Sequence, residues 1–154
     1  MKPIGVIHSP YKTKQEMPIK AYASKEVAKI EVFKEYADGL KDIEGFSHII
    51  VLYWFHKSKE YSLHVKPFLD ENFRGIFACR HPDRLNSIGI STVKLLKRRR
   101  NILWVKGIDT LDGTPLIDIK PYVPKFDERK GAKAGWFRRQ VISFFSFSYV
   151  SKKK

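Results

Sequence analysis

Apolar residues along this chain fall in short runs rather than in long stripes of helical period. Val, Ile, Phe, Tyr and Trp gather over residues 4–8, 29–33, 46–55, 76–80, 88–97, 102–108, 115–120 and 141–150, with Gly, Pro, Asn and Asp between them. Runs of this length bounded by turn formers predict strands. Residues 29–33 alternate apolar and polar side chains, whereas 46–55 are apolar almost throughout and predict a strand covered on both faces. Residues 34–42 predict a short helix or turn closed at Gly39, and the run Arg98, Arg99, Arg100, Asn101 reads as the tip of a hairpin between 88–97 and 102–108. The last run places Val141, Phe145, Phe147 and Tyr149 on one face, with Ser146 and Ser148 opposite. Seven or eight short strands with few helices predict a mainly β fold, a small single-sheet β-barrel with few short helices.

The 154 residues suffice for one core, so residues 1–150 are expected to form one domain and 151–154, ending in Lys152, Lys153 and Lys154, a basic tail. No apolar run reaches the roughly 18–20 residues that span a bilayer, and the N-terminus meets Pro3 and polar residues too soon for a secretory signal. A cytoplasmic protein without membrane contact is expected. The single cysteine, Cys79, excludes an internal disulfide; it sits in an apolar run and is expected in the core, as is Phe77. The five histidines include neither HxH nor HxxxH, so no metal site is expected.

Charge changes the picture more. Lys and Arg outnumber Asp and Glu by 30 to 16, a net charge of +14. Residues 1–93 carry 14 basic and 11 acidic side chains, and residues 94–154 carry 16 and 5. This asymmetry is the footprint of a surface for a polyanion, although a basic solubilising surface gives the same count. The nine glycines form neither GxGxxG nor GxxxxGK[ST], which removes the doubly wound and P-loop nucleotide folds. Ser9, Ser47, Ser87 and Ser91 lack a nucleophile-elbow context, so acyl transfer has no support.

Two stretches carry candidate chemistry. In GIFACRHPDRLNSIGIS, residues 75–91, Arg80, His81, Asp83, Arg84 and Asn86 crowd between apolar runs, a pattern that suits recognition of phosphate, carboxylate or a base edge and equally fits a charged surface loop. In GIDTLDGTPLIDIKPYVPKFD, residues 107–127, Pro115, Pro121 and Pro124 stiffen a segment bearing Asp109, Asp112, Asp118 and Asp127. If DIKPY is extended, Asp118, Lys120 and Tyr122 share one face as acceptor, cation and aromatic plate, or form a salt bridge beside a packed tyrosine.

These paired motifs, with the opening PIGVIHSPYK and the segment IEGFSHIIVLYWFH, resemble the TrmO (TsaA/YaeB) family over about residues 3–127. The resemblance implies a homodimeric β-barrel that binds S-adenosylmethionine and methylates the exocyclic nitrogen of threonylcarbamoyladenosine beside a tRNA anticodon. It places cofactor contacts on Lys20, Ala21, Tyr22, His56, Lys57, Arg80, Ile90, Asp109, Thr110, Leu111 and Asp112. Asn86, Asp118 and Tyr122 are then the candidate catalytic residues, with Arg84, Lys120, Arg98, Arg99 and Arg100 toward RNA. The chain has RHPDRLNSIG where the family has RSPxRPNPIG, so Leu85 and Ser87 replace prolines and His81 a small residue; Lys20 stands where a glutamine is common. These departures bear on loop rigidity and substrate choice.

The sulfonium carries an activated methyl, so catalysis on this reading is alignment and exclusion of water, with no metal and no covalent intermediate. A carbamoylated nitrogen is a poor nucleophile, and Asp118 either takes its proton or orients Lys120 and Tyr122. Two functional classes stand: a tRNA methyltransferase, and a related RNA-binding barrel without methyl transfer.

Overall fold

The computed structural model describes residues 2–17, 26–67 and 70–138. Six strands close into an antiparallel barrel: β1 (Gly5–His8), β2 (Val27–Val32), β3 (His48–Trp54), β6 (Ile88–Arg99), β7 (Ile102–Lys106) and β8 (Thr114–Pro121), ordered β1-β2-β7-β6-β3-β8 around the wall. Two further short strands, β4 (His64–Val65) and β5 (Arg74–Gly75), pair outside the barrel. Among the described residues the helical elements are short, including the four-residue α-helix Pro124–Asp127 and 3-10 turns at Lys34–Leu40 and Ile76–Ala78.

Period-two alternation fills the interior. Ile7, Ile30, Ile49, Val51, Val93, Leu103, Val105 and Leu116 point inward with no exposed surface, and burying each such side chain contributes about 1.5–3 kcal/mol. Two irregularities turn the wall. Tyr53 pairs with Leu116 but Leu52 pairs with Asp118, and Leu95 and Lys97 pair with consecutive residues of β7. Each is an extra residue of the bulge type that bends a strand into closure.

Three expectations are corrected. β3 is buried on one face only: Ile49, Val51 and Tyr53 face the core, while Trp54 is 44% exposed, because no second layer covers the outside of the barrel among the described residues. Residues 76–80 are not a strand. Ile76 and Cys79 are buried against Val65, with Trp136 packed on them, and a spacing of three places them side by side on a 3-10 turn, where alternation would separate them. The same turn points Phe77 outward, 78% exposed, so it is no core residue.

The hairpin around the arginines is present, with Arg99 opposite Ile102 and Arg100 in the left-handed region at φ 56°. Residues 141–150 and the basic tail lie outside the described residues, so the extent of a domain over 1–150 is seen only for its described part.

Candidate functional site

One end of the barrel gathers the end of β1, the end of β3, the start of β6, the loop between β7 and β8, and the start of β8. The 107–113 loop turns at Gly107 (φ 94°) and Gly113 (φ 78°), a backbone conformation glycine adopts without steric cost. It is strapped to the N-terminal segment. Ser9 Oγ donates to the Thr110 carbonyl at 2.6 Å, the Ser9 amide donates to Asp112 Oδ1 at 3.1 Å, and the Asp112 amide donates to the Tyr11 carbonyl at 2.8 Å. Lys12 Nζ donates to the other Asp112 oxygen, and this bond holds the Asp112 carboxyl below the usual carboxylate range.

On the opposite side stands the 81–87 loop. Asp83 accepts from Ser58 Oγ at 2.8 Å, and Ser87 Oγ donates to the Arg84 carbonyl at 3.1 Å, closing a turn. Between the two loops runs a cleft of about 340 Å³, lined by Met17, Phe55, Leu111 and the polar His56, Lys57, His81 and Thr110. An apolar wall with a few convergent polar groups is the usual make-up of a small-molecule site. Thr110 is 1% exposed, and its Oγ1 has no hydrogen-bond partner among the described residues. A buried hydroxyl left unpaired costs about 1–3 kcal/mol, which marks Thr110 as a candidate contact for a bound group.

Asp109 precedes Thr110 on the same loop. Its Oδ1 accepts from Ser91 Oγ at 2.7 Å and from the Tyr53 hydroxyl at 3.4 Å, and those two hydroxyls are 3.0 Å apart. Burial pushes the Asp109 carboxyl above its ordinary range, against the hydrogen bonds and the Arg80 charge that favour ionisation. Burial likewise raises the Tyr53 phenol.

The structure therefore brings together His56, Lys57, Thr110 and Leu111 at the cleft, with Asp109 and Asp112 on the same loop and Arg80 close enough for its charge to act on Asp109. Exposed Asn86 stands at this end too, its carbonyl accepting the Ile88 amide at 2.7 Å. Other candidates stand apart. Ile90, 52% exposed, sits on the outer wall opposite Leu52. Asp118 and Lys120 pair at 2.7 Å on the same outer face. The Tyr122 amide donates to the His48 carbonyl at the far end of β8, with the two rings edge to face at 6.3 Å. Asn86, Asp118 and Tyr122 do not meet within one chain. Lys20, Ala21 and Tyr22 lie outside the described residues.

Two basic residues have structural partners. Arg84 donates to the carbonyls of Ile76 and Cys79 at 3.0 and 2.7 Å, bracing the 3-10 turn. Arg98 is not an exposed tip residue: it donates to the carbonyls of Leu40 and Arg100, each at 2.8 Å, and pairs with Glu44 at 3.1 Å. Arg99 and Arg100 remain exposed, and their tip is at the end of the barrel away from the cleft.

Sequence reasoning missed Tyr53, Ser91 and Ser9. Ser91 closes the first motif and was weighed only as a nucleophile; Tyr53 is hidden in an apolar run, and no local signal marks the pairing of either with Asp109. Among the described residues no three His, Cys, Asp or Glu side chains converge as a metal site, and no helix is long and apolar enough to cross a membrane.

Fold and site define a small antiparallel β-barrel with a cleft at one end. The model of the tRNA-methyltransferase O N-terminal domain matches residues 6–128. A Pyrococcus abyssi protein named as a probable S-adenosyl-L-methionine-binding protein is 52% identical over 91% of this chain and 77% of its own length. The human tRNA (adenine(37)-N6)-methyltransferase is 34% identical over 82% of this chain, which spans 30% of that enzyme. The crystal structure of TrmO from Pseudomonas aeruginosa superposes with a TM-score of 0.72 at 35% identity, covering 87% of this chain and 60% of that one. This chain belongs to the TrmO family.

Proposed function

We propose that this protein is an S-adenosylmethionine-dependent tRNA adenine-N6 methyltransferase, and that its target is the exocyclic nitrogen of threonylcarbamoyladenosine next to the anticodon. The observation that carries the reading is the buried Thr110 Oγ1, without a hydrogen-bond partner among the described residues, in a cleft lined by His56, Lys57 and Leu111, all positions where the family resemblance expects cofactor contacts. The donor set fits that cofactor: Phe55 and Leu111 offer apolar wall for a planar base, and Thr110 with the Asp109 carboxylate offers polar partners for ribose or amino-acid groups. When bound, S-adenosylmethionine supplies the activated methyl group.

The chain's own work is then positioning. The 107–113 loop, strapped to Ser9 and Tyr11, fixes Thr110 and Asp109 before binding, so little ordering entropy is lost on binding. Asn86 stands at the rim for the incoming base. Asp118 and Tyr122 lie on the outer wall and the far end, so they serve the reacting nitrogen only from a second copy, which ties their catalytic role to a homodimer. The exposed Trp54 and Ile90 on the same wall suit pairing of two copies. Arg99 and Arg100 reach RNA phosphate, and a cytoplasmic location follows from a tRNA substrate.

The deciding experiment measures S-adenosylmethionine binding by calorimetry, with methyl transfer read by nucleoside mass spectrometry on tRNA with and without threonylcarbamoyl. Binding with transfer only to the modified tRNA is the expected result. Cofactor binding with no transfer to either tRNA would leave the RNA-binding barrel, the reading favoured by the distance of Asp118 and Tyr122 from the cleft. No binding would overturn both the cofactor and the methyltransferase.

A further inference from the structure

We propose that Tyr53 and Ser91, with Gly89 beneath the Tyr53 ring, are positioning residues that hold the Asp109 carboxylate in its ligand-binding orientation and so set cofactor affinity. The inference rests on the reading of Asp109 as a cofactor contact and adds three residues to it.

The geometry is built from the strand register. Tyr53 on β3 is opposite Gly89 on β6, and Ser91 is the next inward position along β6. A Cβ at Gly89 would stand 2.1 Å from Tyr53 Cε2, so only glycine lets the ring cross this position. Crossing it brings the hydroxyl to Ser91 Oγ at 3.0 Å, and both hydroxyls turn toward the same oxygen of Asp109. Tyr53 is 2% and Ser91 4% exposed. A barrel interior needs no such polar cluster for packing, and each hydroxyl placed there costs desolvation unless paired. Here both donate to Asp109, and no other residue among those described donates to its second oxygen. The Tyr53 ring also meets Phe55 edge to face at 5.3 Å, and Phe55 lines the cleft. One residue thus supports both the apolar wall and the acidic group of the site.

The charged and titratable groups facing Asp109 are the Tyr53 phenol from β3 and the Arg80 guanidinium from the segment after the 3-10 turn; Ser91 from β6 is uncharged. The phenol stays protonated, since burial raises it. Both hydroxyls donate to the ionised carboxylate, so removing either leaves the charged form less favoured and moves its titration to higher pH.

The test is calorimetry of S-adenosylmethionine against pH for the full chain and for Tyr53→Phe, Ser91→Ala and Asp109→Asn, with melting temperatures recorded alongside. In the wild type, affinity falls as pH drops through the Asp109 titration. Tyr53→Phe and Ser91→Ala should each weaken binding about tenfold at neutral pH, the size of one lost hydrogen bond to a charged group, and move the acid midpoint upward. Asp109→Asn should bind weakly with that pH dependence lost. A merely structural role would lower melting temperature and leave the midpoint in place. Ser91→Ala keeps the ring seated and carries the test if Tyr53→Phe folds poorly. Wild-type affinity and midpoint in both hydroxyl variants, or an unaltered pH profile in Asp109→Asn, would overturn the inference while leaving the methyltransferase reading intact; a wild type that fails to bind the cofactor overturns that reading instead.

Discussion

The ring of Tyr53 occupies the space that a side chain at Gly89 would fill, with Cε2 only 2.1 Å from the ideal Cβ position. The glycine in the SIGIS motif is therefore there for a neighbour on another strand. Its own conformation is ordinary extended backbone within β6. Gly89→Ala should destabilise the protein by about 1–3 kcal/mol, the usual cost of overpacking, as measured by denaturant unfolding. In a Tyr53→Ala background the added methyl has room, and a double-mutant cycle should show the Gly89→Ala penalty falling toward zero. Equal penalties in both backgrounds would mean that the ring does not set the requirement.

Asp109 and Asp112, three positions apart on one loop, should act on stability with opposite sign. Burial raises Asp109 above its unfolded value, so its contribution is present below the unfolded pKa and lost as pH rises through the folded one. Asp109→Asn should melt higher than wild type at neutral pH and converge with it in acid. Hydrogen bonding by Lys12 depresses Asp112, so its contribution is present above the unfolded pKa and lost as pH falls through the folded one. Asp112→Asn should melt lower at neutral pH and converge in acid. Thermal melts across pH read both, and like-signed shifts would refute the assignment.

The arginines of the hairpin should separate into two kinds. Arg98→Ala removes donors from the Leu40 and Arg100 carbonyls and should cost about 1–3 kcal/mol of stability. Arg99→Ala with Arg100→Ala should leave stability nearly unchanged and lower the slope of log tRNA affinity against log salt by roughly 1.5, at about 0.7–0.9 per phosphate. An unchanged slope would place RNA elsewhere on the surface.

Phe77 and Leu103 give a control on burial. Phe77→Ala, at a position 78% exposed, should change stability by no more than about 0.5 kcal/mol. Leu103→Ala, fully buried, should cost about 2–5 kcal/mol. Chemical denaturation distinguishes them directly.

Much of this molecule was legible in its sequence. Alternation in 29–33 marked β2, because a strand with one buried face must repeat with period two, and the apolar runs 88–97 and 102–108 on either side of a turn-like polar break marked β6 and β7. The hairpin before Asn101 followed from a polar break between two such runs. Residues 76–80 misled because an apolar run of five does not distinguish a strand from a 3-10 turn whose Ile76 and Cys79 face the same way. Arg98 misled because three arginines in a row look alike until Leu40 and Glu44 are brought beside one of them.

The sequence by itself determined the class of fold, the absence of a nucleotide-binding glycine loop, the basic imbalance and the two loops that carry the candidate site, since all of these are local in pattern or sums over composition. Tertiary structure alone decided which members of those loops meet. Tyr53, Ser91 and Asp109 are 18 to 56 positions apart and converge only because barrel closure sets the register of β3 against β6 and brings the β7–β8 loop over both. The same closure puts Asp118 and Tyr122 on the outer wall and the far end, a separation no motif records, because a strand's inward and outward positions become distinct sites only once the sheet has an inside.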